Sequence, residues 1–268
     1  MLVDCHAHLA SPEFDDDRDA VRARARSAGV GVVLVVGEHL ADDRRVLDVA
    51  REPAAGGCEL LACLGVHPDR FGDQRELPTT EEIEATMNLI RDNASSLAAV
   101  GEVGLDRWVA RDHDRRAAQV SLLERMVAMA LELALPLNVH SRSAGKHALD
   151  VLKSAGARAV LMHAFDGKAT HAARAADDGF LFSIPPSVVR SEQKQKLVRR
   201  LPLTALALES DSPVLGPVRN ERNEPANVVH SLDFIARAHG VSRDRVEEVT
   251  TENARRLFPS IHSLTSVV

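Results

Sequence analysis

The stretch "VDCHAHLA" (3–10) sets Asp4, His6 and His8 at alternate positions of an apolar, strand-like run. Strand side chains alternate faces, so all three should project to one side. Two imidazoles and a carboxylate on one face suit a metal ion better than a core. Taken alone, the trio also fits two partly exposed or hydrogen-bonded histidines near a chain start. Residues of the same kind recur at the ends of other apolar runs: His67 in "GVHP", Glu102 in "GEVGLD", His140 in "LNVHSR", His163 in "LMHAF" and Asp211 in "ESDSP". Leaving His67 aside, four histidines and two carboxylates form a mixed nitrogen and oxygen set suited to Zn, Mn or a similar divalent ion.

Such residues converge only if the elements carrying them converge. Eight apolar runs, at 1–9, 29–37, 59–68, 97–106, 135–142, 157–165, 179–186 and 204–213, are rich in Val, Leu, Ile and Ala. They do not strictly alternate, as expected of parallel strands covered on both faces. Helical segments lie between them. The segment 15–29 opens with acids and stops at Gly29, and "TTEEIEATMNLIRDNASSL" opens on a capping signature. A long amphipathic helix stops at Pro136, and two helices near 225–239 and 242–257 follow, the second capped by Ser242. Eight alternations without a linker point to one (β/α)8 TIM barrel over 1–268, with its active site at the C-terminal strand ends. The alternative, an open doubly wound sheet, would concentrate polar residues at one switch point rather than at nearly every strand end.

The balance of residues narrows the partners. At 268 residues, 45% hydrophobic and 27% charged, the chain suits one large soluble core. Its longest apolar runs are too short to span a membrane. A strand begins at once, which leaves no room for a leader, and Cys5, Cys58 and Cys63 have no CxxC spacing, so reduced thiols in the cytoplasm are expected. A net charge of −6 argues against bulk electrostatic binding of long nucleic acid, though not against a small mouth lined by arginines and cations.

The motifs "DCHAHL", "GVHP", "GEVGLD", "LNVHSR", "HAFDG", "ESDSP" and "RNEPANV", in this order along nearly the whole chain, resemble the TatD family of metal-dependent hydrolases within the amidohydrolase-like superfamily. That resemblance implies two divalent metal ions (Zn, Mn or Mg). His6 and His8 would hold the first beside Asp211, Glu102 would bridge, and His140 with His163 would complete the second. It implies phosphodiester cleavage in DNA, with single-stranded DNA or an oligonucleotide as substrate, by a monomer or weak oligomer. Asp211 would take the proton of a metal-activated water, making Asp211 and Glu102 catalytic. His67 is read as a further catalytic residue, a substrate or transition-state contact, and Arg142, two residues past His140, as the cation for a phosphate oxygen. Glu209 is read as the partner of a ligand histidine, with Asp4 and Asp106 either similar or structural. Arg107, Lys168, Arg219 and Arg222 are weaker phosphate candidates. His39, His113, His147, His171, His230, His239 and His262 receive no role.

Two departures from the family pattern bear on substrate. Asp166 stands where the family commonly has serine, and is expected near the second metal or paired with a nearby cation such as Lys168. Arg107-Trp108 replaces an aromatic pair, and with no tyrosine in the chain base stacking falls to Trp108, Phe165 or Phe14. A lactone, amide or phosphoester hydrolase on the same metals is therefore the alternative function. A non-catalytic binding barrel would show decayed ligands, and all six stand.

Overall fold

The computed structural model describes residues 1–263. Its strands are β1 (Leu2–Ala7), β2 (Val30–Val36), β3 (Glu59–Leu64), β4 (Leu97–Gly104), β5 (Leu137–His140), β6 (Val160–Met162), β7 (Leu181–Ile184) and β8 (Leu206–Leu208). Parallel ladders join each strand to the next in chain order, from β1 to β8. Each of the eight apolar runs contains one strand. The helices are α1 (Arg18–Ser27), α2 (Leu40–Arg51), α3 (Thr80–Asn93), α4 (His113–Glu132), α5 (Gly145–Ser154), α6 (Ala169–Asp177), α7 (Glu192–Arg200), α8 (Val228–His239), α9 (Arg243–Leu257) and the short α10 (Ser260–Ser263).

Strand alternation sorts the core into two layers. Along β2, Val33 and Val35 face the helices, whereas Val32, Leu34 and Val36 fill the barrel interior with Val3, Cys5, Cys63, Leu161 and Ala207. Leu257, Phe258 and Ile261 join the interior cluster and plug the end opposite the mouth. Several helix boundaries follow from caps. Thr79 Oγ1 accepts from Glu82 N at 3.1 Å and Glu82 Oε2 accepts from Thr79 N at 2.8 Å, the reciprocal box that starts α3. Gly29, at φ 93°, lets the chain leave α1 and enter β2 at once. Ser242 caps α9 as expected, while α8 begins only at Val228, after a 3-10 turn over Pro225–Asn227.

Hydrogen bonds beyond the last ladder close the seam between β8 and β1. Asp211 N donates to His6 O at 2.9 Å, and His8 N donates to Ser212 O at 2.8 Å. Asp4 Oδ1 accepts from Ser210 N at 2.8 Å and from His6 N at 3.2 Å. An open sheet has no such seam. Pairing irregularities fall between Asp4 and Ala7 of β1 and between Val100 and Val103 of β4, the stretches that carry His6 and Glu102. Local breaks in a ladder re-aim side chains, here toward the mouth.

Candidate metal centre

Glu102 is the hub of the mouth. It is almost wholly buried, and its two oxygens face different neighbours. Oε2 lies 3.3 Å from His6 Nε2 and 3.4 Å from His8 Nε2. Oε1 lies 2.8 Å from His140 Nδ1, 3.3 Å from His67 Nε2 and 3.8 Å from His163 Nε2. Asp211 Oδ1 stands 3.6 Å from His6 and His8 and 3.9 Å from His163. Candidate ligand atoms therefore gather in three overlapping groups: His6, His8 and Asp211; His6, Glu102 and His163; and His67, Glu102 and His140.

All six residues expected to bind metal converge in one mouth. His163 stacks on His6, with ring centroids 3.6 Å apart, and lies 6.0 Å from His140. His67, expected as a catalytic residue in contact with substrate or transition state, also places Nε2 3.3 Å from Glu102 Oε1. Its direction is set by the 3-10 turn after β3, where Nδ1 accepts from Asp69 N at 3.1 Å.

The far nitrogens of the rings are held as a metal site requires. His6 Nδ1 meets Asn138 Oδ1 at 2.9 Å, His163 Nδ1 meets Glu209 Oε2 at 2.8 Å, and His140 Nε2 meets Asp106 Oδ2 at 3.1 Å. A histidine whose outer nitrogen is fixed presents its inner nitrogen to an ion in a set orientation. Glu209 is itself held by Ser183 Oγ at 2.6 Å and Ala164 N at 3.0 Å. Its expected supporting role, and that of Asp106, match this geometry, whereas Asp4 supports only backbone. Asn138 was missed, although it sits two residues before His140 on one strand face. Lys194 was missed as well: its buried ammonium donates to the carbonyls of Ala164 and Phe165 beneath the His163 turn, where Ala164 sits at φ 35°.

The charges in this mouth call for cations. Burial pulls the His6 imidazole down, but the Glu102, Asp211 and Glu209 carboxylates outweigh it and push its pKa up to about 10. Burial likewise opposes His8 and His67, yet neighbouring carboxylates raise both. Burial opposes Glu102 and Asp211 too, and the surrounding imidazoles still hold both carboxyls below their usual range. Imidazoles and carboxylates thus favour one another's charged forms across the mouth. The donor set fits such ions, with imidazole nitrogen and carboxylate oxygen for Zn or Mn.

Three further expectations are corrected. Among the described residues Asp166 pairs with neither Lys168 nor the ligand cluster; its Oδ2 accepts from Ser143 N at 2.7 Å, and the cation that senses its charge is Lys194. Ser143, exposed and at φ 54°, gives the carboxylate a main-chain donor. Phe14 and Phe165 are fully buried, which leaves Trp108, 56% exposed, as the one open ring of the three. Arg222 pairs with Asp17 at 2.6 Å and is committed elsewhere. Arg142 reaches over the Trp108 ring, its guanidinium carbon 5.1 Å from the ring centroid. His39, given no role, caps α2 by accepting from Asp42 N at 3.2 Å.

Residues 3–259 match the family model for TatD-related DNase. The chain belongs to the TatD family. It is 42% identical over 268 residues to human deoxyribonuclease TATDN3, covering 98% of this chain and 96% of that protein. It is 30% identical over 268 residues to the 3'-5' ssDNA/RNA exonuclease TatD of Erwinia amylovora, covering 96% and 99%. The crystal structure of YJJV, the TatD homologue of Escherichia coli, superposes with a TM-score of 0.86 at 25% identity, covering 96% of this chain and 98% of that one. This TatD protein is accordingly a metal-dependent hydrolase built on a TIM barrel. Among its described residues no helix is long and apolar enough to cross a membrane.

Proposed function

We propose that this chain hydrolyses phosphodiester bonds in single-stranded DNA or short oligonucleotides at a two-metal centre. The supporting observation is that Glu102 turns its two oxygens to two separate sets of nitrogens. Oε2 with His6, His8 and Asp211 would hold one ion. Oε1 with His140 and His163 would hold the second, with His67 at its edge. Bound in this way, a pair of Zn, Mn or Mg ions would polarise the phosphate, activate water and stabilise charge on the attacking and leaving oxygens.

The chain's own residues supply the rest. Asp211 Oδ1 stands 3.6 Å from His6 and His8, beside the ligands of the first ion, where its carboxylate can accept the proton of the attacking water. His67, tied at Nδ1 to the Asp69 amide, hydrogen-bonds the phosphate under attack. Arg142 binds a phosphate oxygen from the rim, and the Trp108 ring beneath it offers a face to an unpaired base. One chain supplies the whole mouth, so a monomer or weak oligomer suffices, and the barrel 1–268 acts as one unit. The buried thiols of Cys5, Cys58 and Cys63 suit the cytoplasm.

The relatives named as nucleases support a nucleic-acid substrate, and the barrel's wider use for lactones and amides supplies the rival. Metal analysis and hydrolysis of a panel, namely single-stranded DNA, RNA, bis(4-nitrophenyl) phosphate and a lactone, separate the two. Turnover of single-stranded DNA is expected. Turnover of the lactone alone would overturn the proposal.

A further inference from the structure

A second cavity of about 270 Å³ opens beside the metal centre, between the start of α2 and the segment entering α3. Leu40, Val66, Pro78 and Ile83 line it, and Arg44 and Arg70 stand at its edge. It is continuous with the metal centre through the chain. Val66 precedes His67, and His39 follows Glu38, whose carbonyl accepts from His67 N at 2.8 Å.

Arg24, Arg45, Arg75, Arg125 and Arg222 are all committed to carboxylates. Among the described residues neither the Arg44 nor the Arg70 side chain has a carboxylate or hydrogen-bond acceptor of its own. Asp69, whose charge Arg70 senses, is held by Arg75 at 2.8 Å and by His67 at 3.1 Å. Glu82, the acid in the lining, is occupied by the α3 capping box. Two uncommitted guanidinium groups over an apolar slot form an arrangement that takes an anion attached to a flat, weakly polar ring.

We infer that this slot is a substrate subsite for the nucleotide neighbouring the one whose phosphate is cut. Its base would lie against Leu40, Val66 and Ile83, and its phosphate on Arg44 and Arg70. The inference rests on the phosphodiesterase reading above. The volume lies just below the ~300–1,000 Å³ of ordinary small-molecule sites, which suits one ring system rather than a folded strand. Guanidinium groups pair with phosphate oxygens by paired N–H donors and also stack on bases, so the same arginines can serve both parts of a nucleotide. A strand anchored here and on the Trp108–Arg142 stack would be held on two sides of the metals.

The test uses tetradeoxyadenylate as probe. Its binding is measured by calorimetry over a salt series on metal-loaded protein carrying Asp211→Asn, and bis(4-nitrophenyl) phosphate hydrolysis is followed in the otherwise unsubstituted enzyme. The double change Arg44→Ala/Arg70→Ala should weaken tetradeoxyadenylate binding tenfold or more. It should also flatten the salt dependence by about 0.7 in log–log slope for each phosphate that the arginines no longer neutralise. Ala41→Trp, at an exposed lining position, should block the slot and weaken binding similarly without disturbing the core. Hydrolysis of the small diester, which reaches only the metals, should stay within twofold in both. Unchanged tetradeoxyadenylate binding in both variants would overturn the subsite alone. If the unsubstituted protein neither binds nor cleaves tetradeoxyadenylate yet hydrolyses the small diester, the nucleic-acid reading fails and the subsite with it.

Discussion

Asp211 Oδ1 stands 3.6 Å from both histidines of β1, so removing its charge and removing a ligand are separable experiments. Asp211→Asn keeps an oxygen at that point, and His6, His8 and Glu102 remain to hold an ion. Metal content should therefore largely survive while kcat falls by roughly 10²–10⁴, the usual worth of a positioned base. His163→Ala should lose metal and activity together. Stoichiometry and kcat on the same preparations check both, and a fully metallated Asp211→Asn enzyme turning over at the normal rate would remove Asp211 as base. At this scale the sequence was informative wherever a polar residue ended an apolar run, as His6, His8, Glu102, His140, His163 and Asp211 all do. It was silent where direction depends on a turn. The place of His67 follows from a bond to the Asp69 amide, and that of Asp166 from the amide of a left-handed serine. No inventory of side chains contains those main-chain donors.

The strands were legible as elements because burial on both faces leaves continuous apolar runs. Their ends were less so. The run 204–213 yields a strand of three residues, Leu206–Leu208, because Glu209 to Ser212 leave the ladder and bend over the mouth toward β1. Asp4 joins those two edges, its Oδ1 accepting from the His6 and Ser210 amides while Oδ2 has no partner. Asp4→Ala would strand two buried donors at about 1–3 kcal/mol each. Asp4→Asn keeps the accepting oxygen and should cost much less. Chemical denaturation of both variants, metal-loaded, checks this: the alanine protein should lose several kcal/mol and the asparagine protein under half as much. Equal losses would mean that Asp4 is not the clasp of the seam.

Closure of the whole molecule could be inferred only from counting alternations, since the bonds that make it join residues about 200 positions apart, such as Asp4 and Ser210. That closure puts five imidazoles and two carboxylates in one small buried volume, and the consequence is a linkage between metal and protons. In the metal-free chain the carboxylates hold the His6 pKa up at about 10 and raise His8 and His67. At pH 7 the His6 imidazole, with its pKa near 10, carries a proton, yet an ion binds the neutral ring. Loading must therefore expel protons. The sign follows: affinity should rise with pH from about 6, and should stop rising for His6 only near pH 10, where that ring is already half deprotonated. The melting temperature should rise with free metal as expected for a ligand of the folded state alone, and more steeply at pH 8.5 than at pH 6.5. Calorimetry of Zn or Mn binding in buffers of different ionisation enthalpy counts the protons directly. Release of at least one proton per protein at pH 7.5 is expected. Metal binding with no proton release and no change in affinity across this range would mean that the imidazoles are neutral before the ions arrive. The carboxylates would then not set the charge of this mouth.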